Sequence, residues 1–144
     1  AICVNLVGIW KVKEALTFDE DGGKWLPVQE CMDREDMDDE TKSFLSARFV
    51  FEPDGLFKIV MAIPDGVPQE KIDQAAAAGE IRLFDSRSMI VEEHPWKEEN
   101  GKYYYDSGIQ GEVLGEPVSP WMEIQETEDG IEWMAYRLVK AEKP

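Results

Sequence analysis

The stretch Gly8-Ile9-Trp10-Lys11-Val12-Lys13 decides the fold that we expect for this chain. Apolar and polar side chains alternate along it, which is the period of a β-strand with one face turned toward a core. We expect a first strand over residues 6–18 and a last strand over residues 131–140. Closure of a sheet removes its exposed edges, so these two strands are expected to lie side by side and to complete a barrel.

Tight turns punctuate the chain between these two segments. Pro53-Asp54-Gly55 and Asn100-Gly101 carry the residues that such turns need, because Pro fixes φ and Gly accepts positive φ. The sequence predicts strands over 47–52, 56–63, 81–84, 88–96, 102–107 and 121–127, and short helices over 36–45 and 68–78. We therefore expect a mainly β fold, an antiparallel up-and-down barrel with one or two short helices, as a single domain over residues 1–144.

The motif Gly8-x-Trp10 early in the first strand, together with Arg137 late in the last, resembles the calycin superfamily, which contains lipocalins and intracellular fatty-acid-binding proteins. The resemblance implies that Trp10 packs at the closed end of a lipocalin-like barrel, against Arg137. The acidic segment after the first strand is similar to the helical lid of fatty-acid-binding proteins.

Alternation also predicts which side chains line the barrel interior. The hairpin over residues 47–63 turns a row of bulky apolar side chains to one face. Trp133 and Arg137 share a face of the predicted last strand, and Glu14 shares a face with Trp10, so Glu14 could pair with Arg137 inside. The candidate ligand-binding residues are Trp10, Glu14, Phe49, Phe57, Ile59, Met61, Trp133 and Arg137.

No motif indicates a catalytic centre, a metal site or a cofactor. The single histidine, His94, follows two glutamates at the end of a predicted strand, and a general base would also need a positioned partner and a pocket. Residues 19–30 place acids as a calcium loop does, but Lys24 stands where that loop requires Gly. We expect no cofactor and no metal, and we assign no catalytic residue.

The charge of the chain limits its partners. Thirty-one acidic residues against fifteen basic ones give a formal net charge of -16. Such a surface repels phosphate backbones and anionic lipid headgroups, so neither nucleic acid nor a membrane surface is an expected partner. No run approaches the ~20 apolar residues of a membrane span, so no membrane insertion is expected. Solubility alone explains an acidic surface of this kind.

The two cysteines, Cys3 and Cys31, lack the spacing of a redox or metal motif. We expect free thiols in a cytoplasmic protein, with a single disulfide and a removed signal peptide as the open alternatives. We expect a monomer or a weak homodimer.

The function predicted from these features is the binding of a small, largely apolar molecule, fatty-acid-like or similar, inside the barrel. Two alternatives stay open. One is an enzyme that uses inward Tyr and Glu residues of the same cavity as acid and base. The other is a barrel whose interior is filled by side chains and which serves as a protein-interaction module.

Overall fold

The computed structural model of the protein describes residues 5–141. Its strands are β1 (Gly8–Asp19), β2 (Gly22–Pro27), β3 (Arg48–Phe51), β4 (Leu56–Ala62), β5 (Leu83–Asp85), β6 (Ser88–Glu99), β7 (Lys102–Asp106), β8 (Glu112–Val113), β9 (Glu116–Pro117), β10 (Trp121–Glu126), β11 (Ile131–Trp133) and β12 (Tyr136–Lys140). Its helices are α1 (Val28–Met32), α2 (Asp39–Leu45) and α3 (Gln69–Ala77).

Eight of these strands close an antiparallel barrel. Around the barrel they follow the order β1-β3-β4-β6-β7-β10-β11-β12, and β12 pairs with β1 to complete the ring. The predicted neighbourhood of the first and last strands is confirmed, with Trp10 opposite Lys140 and Val12 opposite Leu138. The mainly β, up-and-down barrel is confirmed with it. Strand β2 pairs with the far half of β1, and β5 pairs with β6.

The turns form where the sequence places them. Asn100 and Gly101 have φ values of 54° and 80°, the left-handed pair that a two-residue β6–β7 hairpin requires. Gly55, at φ 93°, joins β3 to β4. These turns fix the register of the strands, so the inward rows of β3 and β4 are as predicted: Phe49 lies opposite Ile59, and Phe51 opposite Phe57.

The prediction of one unbroken strand over residues 131–140 is wrong. A two-residue turn at Met134-Ala135 divides it into the hairpin β11–β12, with Met134 at φ 53°. Trp133 now lies opposite Tyr136 and shares its face. Arg137 follows Tyr136 in β12, so its side chain lies on the other face and points outward. In an unbroken strand, Arg137 would have shared the inward face of Trp133.

A β-bulge corrects the predicted inward position of Glu14 in the same way. Val12 lies opposite Leu138 and Ala15 opposite Tyr136, so three steps along β1 match two steps along β12. One extra residue in β1 turns Ala15 into the core and Glu14 out of it. Glu14 and Arg137 still face each other, but they do so on the outer surface of the barrel.

Trp10 closes one end of the barrel. Its side chain is 1% exposed, and its indole N–H donates to the Leu6 carbonyl oxygen at 2.8 Å. The cation beside its ring is Lys140, whose Nζ lies 4.9 Å from the ring centroid. Arg137 instead stacks on Trp25 at 4.1 Å, so the implied contact between Trp10 and Arg137 is wrong.

Helices α1 and α2 cover the opposite end, which we call the mouth. Asp38 caps α2 by accepting from the Thr41 N–H at 2.7 Å, which explains why a helix begins within so acidic a segment. Phe44 of α2 packs edge-on to Phe49, with ring centroids 5.9 Å apart. The helix predicted over 36–45 is therefore confirmed as α2, in a position that suits a lid.

The remaining helix, α3, matches the one predicted over 68–78. Ile72 is its buried residue. The segment that carries α3 is fastened by Arg87, which donates to the carbonyl oxygens of Val67 at 2.8 Å and Pro64 at 2.7 Å. Within residues 5–141, no helix has the length and apolar character needed to cross a bilayer.

Candidate functional site

Five side chains converge at the mouth of the barrel, and we call them the mouth cluster: Glu92, His94, Tyr105, Trp133 and Tyr136. Strand pairing orients them. Glu92 lies opposite Ile59 and His94 opposite Phe57. Directly opposed residues of antiparallel strands share a face, so His94, whose side chain is 20% exposed, packs with the apolar side chains. The Glu92 side chain is 44% exposed and lies at the rim.

His94 has two oxygen partners. Its Nδ1 lies 3.1 Å from the Asp106 carbonyl oxygen, and its Nε2 lies 3.2 Å from Glu92 Oε1. A carbonyl oxygen only accepts, so Nδ1 carries a proton. The Glu92 carboxylate also accepts only, and its side chain is exposed. The pair therefore places a carboxylate and an imidazole at the rim of an apolar space.

The two tyrosines are hydrogen-bond donors in this setting. Burial raises the pKa of Tyr105 and of Tyr136, and the Glu92 carboxylate raises both further. Both pKa values lie above the usual value near 10, so the hydroxyls remain protonated at neutral pH. The mouth cluster therefore offers two neutral O–H groups beside one carboxylate.

Trp133 lies at the centre of the cluster. It is 3% exposed, and aromatic rings surround it. The centroid distances are 5.4 Å to Phe57, 5.7 Å to Phe49, 5.8 Å to Tyr105 and 6.2 Å to Tyr136. Its indole N–H lies close enough to the Tyr105 hydroxyl to lower the pKa that burial raises there, but within residues 5–141 no acceptor meets full hydrogen-bond geometry with Nε1. A buried donor left without an acceptor costs about 1–3 kcal/mol.

Space for a ligand lies at the mouth rather than at the closed end. Toward the closed end, Phe51 and Phe57 stack with centroids 4.3 Å apart, and Trp96 packs against Phe51 at 6.0 Å. At the mouth, a depression of about 230 Å³ lies beside Tyr136 and Phe44. Tyr136 is the member of the mouth cluster that lines this depression, together with Glu40, Thr41 and Phe44 of α2.

The structure brings together only part of the candidate set predicted from the sequence. Phe49, Phe57, Ile59 and Trp133 belong to the buried core, and Met61 packs against its edge.

The other three candidates lie elsewhere. Trp10 closes the opposite end of the barrel. Glu14 and Arg137 form an outer pair at 3.6 Å, and Arg137 also contacts Glu132 at 3.4 Å. The outward position of this arginine removes the predicted internal partner for a ligand carboxylate.

Sequence reasoning missed Glu92, His94, Tyr105 and Tyr136 as site residues. For Glu92, His94 and Tyr105, the available signal was the alternation of side chains along β6 and β7. Tyr105, for example, lies opposite Trp96 and faces inward. Tyr136 had no such signal, because only the turn at Met134-Ala135 directs it inward.

Cysteine and metal chemistry lie outside this site. Cys31 is a buried free thiol, as expected, and burial raises its pKa, which makes it a poor nucleophile. Cys3 lies outside the described residues, so its state stays a prediction. Within residues 5–141, no group of three or more His, Cys, Asp or Glu side chains could hold a metal ion.

No family model, curated protein or solved structure matches this chain.

Proposed function

We propose that this protein is a calycin-type barrel that binds a small, largely apolar ligand in the mouth half of its interior. The observation that carries the proposal is the Trp133 indole N–H, which is buried among aromatic rings and finds no well-aligned acceptor in the part of the chain that the structure describes. Buried polar groups are almost always hydrogen-bonded, so a donor of this kind is well suited to an acceptor that arrives with a ligand. The free thiol of Cys31 agrees with a cytoplasmic location, and a monomer or weak homodimer is part of the same proposal.

The charges at the mouth select the ligand. Glu92 is the acidic member of the mouth cluster, and the cluster contains no Lys or Arg side chain. A ligand carboxylate would meet a like charge, whereas a neutral molecule would not. We therefore propose a neutral ligand with an aromatic or aliphatic body and at least one acceptor. The thioether of Met61 allows the edge of the site to adapt to its shape.

A second candidate function is acid/base catalysis in the same site, and the contact between Glu92 and His94 favours it. A carboxylate, an imidazole and two tyrosines within one partly desolvated space are groups that transfer protons in enzymes. Recovery of a bound molecule in unchanged form, after prolonged incubation, would separate binding from turnover.

The test uses Prodan, a neutral naphthalene dye whose ketone supplies one acceptor and whose emission shifts in apolar surroundings. We expect binding at roughly micromolar affinity, about -8 kcal/mol. Trp133→Phe keeps an aromatic ring but removes the N–H, and should weaken binding by about five- to tenfold, the worth of one hydrogen bond.

Trp96→Phe is the matched control. Its indole N–H is already satisfied by the Glu52 carbonyl oxygen at 2.9 Å, so this variant should keep its affinity for the dye. Met61→Trp should block the site while the melting temperature changes little. Absence of dye binding by the folded wild-type protein would refute the carrier function and favour the filled-barrel interaction module.

A further inference from the structure

A mainly apolar concavity lies on the outer surface of the barrel. It has a volume of about 670 Å³, within the roughly 300–1,000 Å³ of small-molecule sites. We call it the outer groove, and its principal lining residues are Ile9, Arg48, Val50, Val60, Phe84 and Lys140. It crosses β1, β3 and β4 on the face opposite to the interior.

The floor of the groove is apolar and well covered. Val50 lies opposite Ile9, and Val60 lies opposite Arg48, so these side chains form adjacent rows on the outer face. Val50 and Val60 are only 6% and 4% exposed although they point away from the barrel interior. Ile9 and Phe84 are more exposed, at 42% and 38%, and form the walls of the groove. An apolar molecule that lies between these walls would cover both.

Two cations line the groove, and neither has a carboxylate partner among the residues that the structure describes. Among residues 5–141, the Arg48 guanidinium has neither an ion pair nor a hydrogen bond. Lys140 Nζ donates to the Val7 carbonyl oxygen at 2.5 Å and faces the ring of Trp10. Asp85 is the acidic residue of the lining, and its Oδ1 already accepts from the Arg87 backbone N–H at 2.9 Å.

This arrangement is unusual in a chain with a net charge of -16. Acidic residues outnumber basic ones two to one, so a surface arginine would ordinarily find a carboxylate. Here Arg48 lies opposite Val60 on one neighbouring strand and Lys11 on the other, and neither offers a carboxylate. The free guanidinium is a planar fork of donors that matches a carboxylate with two parallel hydrogen bonds.

We propose that the outer groove binds an amphipathic monoanion, a single free acyl chain whose carboxylate meets Arg48 and Lys140 and whose tail lies over Val50 and Val60. This site is separate from the mouth cluster, and the inference does not depend on the proposed function. A second copy of the chain is a poorer occupant, because two surfaces of charge -16 repel each other.

The experiment compares decanoate with 1-decanol by isothermal titration calorimetry, below the concentrations at which either aggregates. The two ligands share a chain and differ in the head group. Decanoate should bind at least tenfold more tightly than decanol. Arg48→Gln should reduce the affinity for decanoate about tenfold, the worth of one charge-assisted hydrogen bond, and leave that for decanol unchanged.

Two controls locate the site. Arg82→Gln removes another surface arginine, one that already pairs with Glu93 at 3.2 Å, and should not change the affinity for decanoate. Ile9→Asp introduces a like charge at an exposed position of the groove wall, where folding tolerates it, and should abolish decanoate binding. Trp133→Phe should affect Prodan but not decanoate, so failure at one site is distinguishable from failure at the other.

Three results would overturn the inference. The first is equal affinity for decanoate and decanol, which would remove the role of the cations. The second is decanoate binding that responds to Trp133→Phe but not to Arg48→Gln, which would place the acid inside the barrel. The third is a concentration-dependent dimer, seen by sedimentation, that Ile9→Asp dissociates, since the groove would then belong to a second copy.

Discussion

The mouth cluster and the outer groove lie on opposite faces of one barrel and differ in charge. On β3, Phe49 points to the mouth, while its neighbours Arg48 and Val50 point to the groove. The mouth presents aromatic rings and neutral hydroxyls, with the Glu92 carboxylate at its rim. The groove presents aliphatic side chains and two cations.

This difference shows how one sheet can support two kinds of apolar site. The strand period of two residues assigns each side chain to one face, so the composition of each face is set independently. Aromatic rings with an open N–H donor suit a neutral acceptor, whereas aliphatic side chains with a free guanidinium suit the carboxylate of an acyl chain. Four substitutions, with Gly66→Ala and Trp96→Phe as controls, test how independent the two faces are.

Trp10→Ala should have the largest effect on stability, because Trp10 is buried at the closed end of the barrel and its ring contacts Lys140. We expect a loss of about 3–5 kcal/mol in the free energy of unfolding, from lost burial and from the cavity left behind. Urea denaturation followed by circular dichroism measures it. A loss below ~1 kcal/mol would mean that Trp10 is not a core residue.

Gly8→Ala should weaken binding in the outer groove without changing binding at the mouth. Gly8 has φ +139°, and a Cβ there would lie 2.5 Å from Lys140 Nζ. The amine must move out of the groove, and the strained backbone should cost about 1–3 kcal/mol. Decanoate affinity should fall while Prodan affinity is retained.

Gly66→Ala is the control for that substitution, since a Cβ at Gly66 meets nothing within 4 Å. It should leave stability and both affinities unchanged. Loss of Prodan binding in Gly8→Ala would show that the two faces are coupled.

The pair Trp133→Phe and Trp96→Phe compares an unsatisfied indole N–H with a satisfied one. Both changes remove the same volume, but only Trp96→Phe leaves an acceptor, the Glu52 carbonyl oxygen, without its partner. Trp133→Phe should therefore cost about 1–2 kcal/mol less stability than Trp96→Phe, measured on the ligand-free protein by urea denaturation. Equal costs would indicate that water already satisfies Trp133.

Arg137→Gln should have the smallest effect. The side chain is 35% exposed, and its contacts with Glu14 and Trp25 lie on the outer surface. We expect a loss of about 1 kcal/mol or less, with the affinities for Prodan and decanoate unchanged. A selective loss of decanoate binding would instead restore Arg137 to the ligand-binding role that the sequence predicted for it.

Local patterns in the sequence were sufficient for much of this fold. Alternation through Trp10 and Val12, and the turn chemistry of Asn100-Gly101, led to the correct strands and the correct closure. The inward rows of the β3–β4 hairpin also followed from alternation, because no bulge interrupts that pair at Phe49 or Phe57. These features depend on neighbours in the chain, which the sequence displays directly.

The sequence by itself determined the barrel, the position of Trp10 in its core and the helices α2 and α3. Tertiary structure decided the sites. One bulge at Lys13-Glu14 and one turn at Met134-Ala135 each reversed the alternation, which moved Glu14 and Arg137 outward and Tyr136 inward. Strand alternation has a period of two, so a single added residue exchanges the faces of everything beyond it. Only the pairing of distant strands shows where that residue is added.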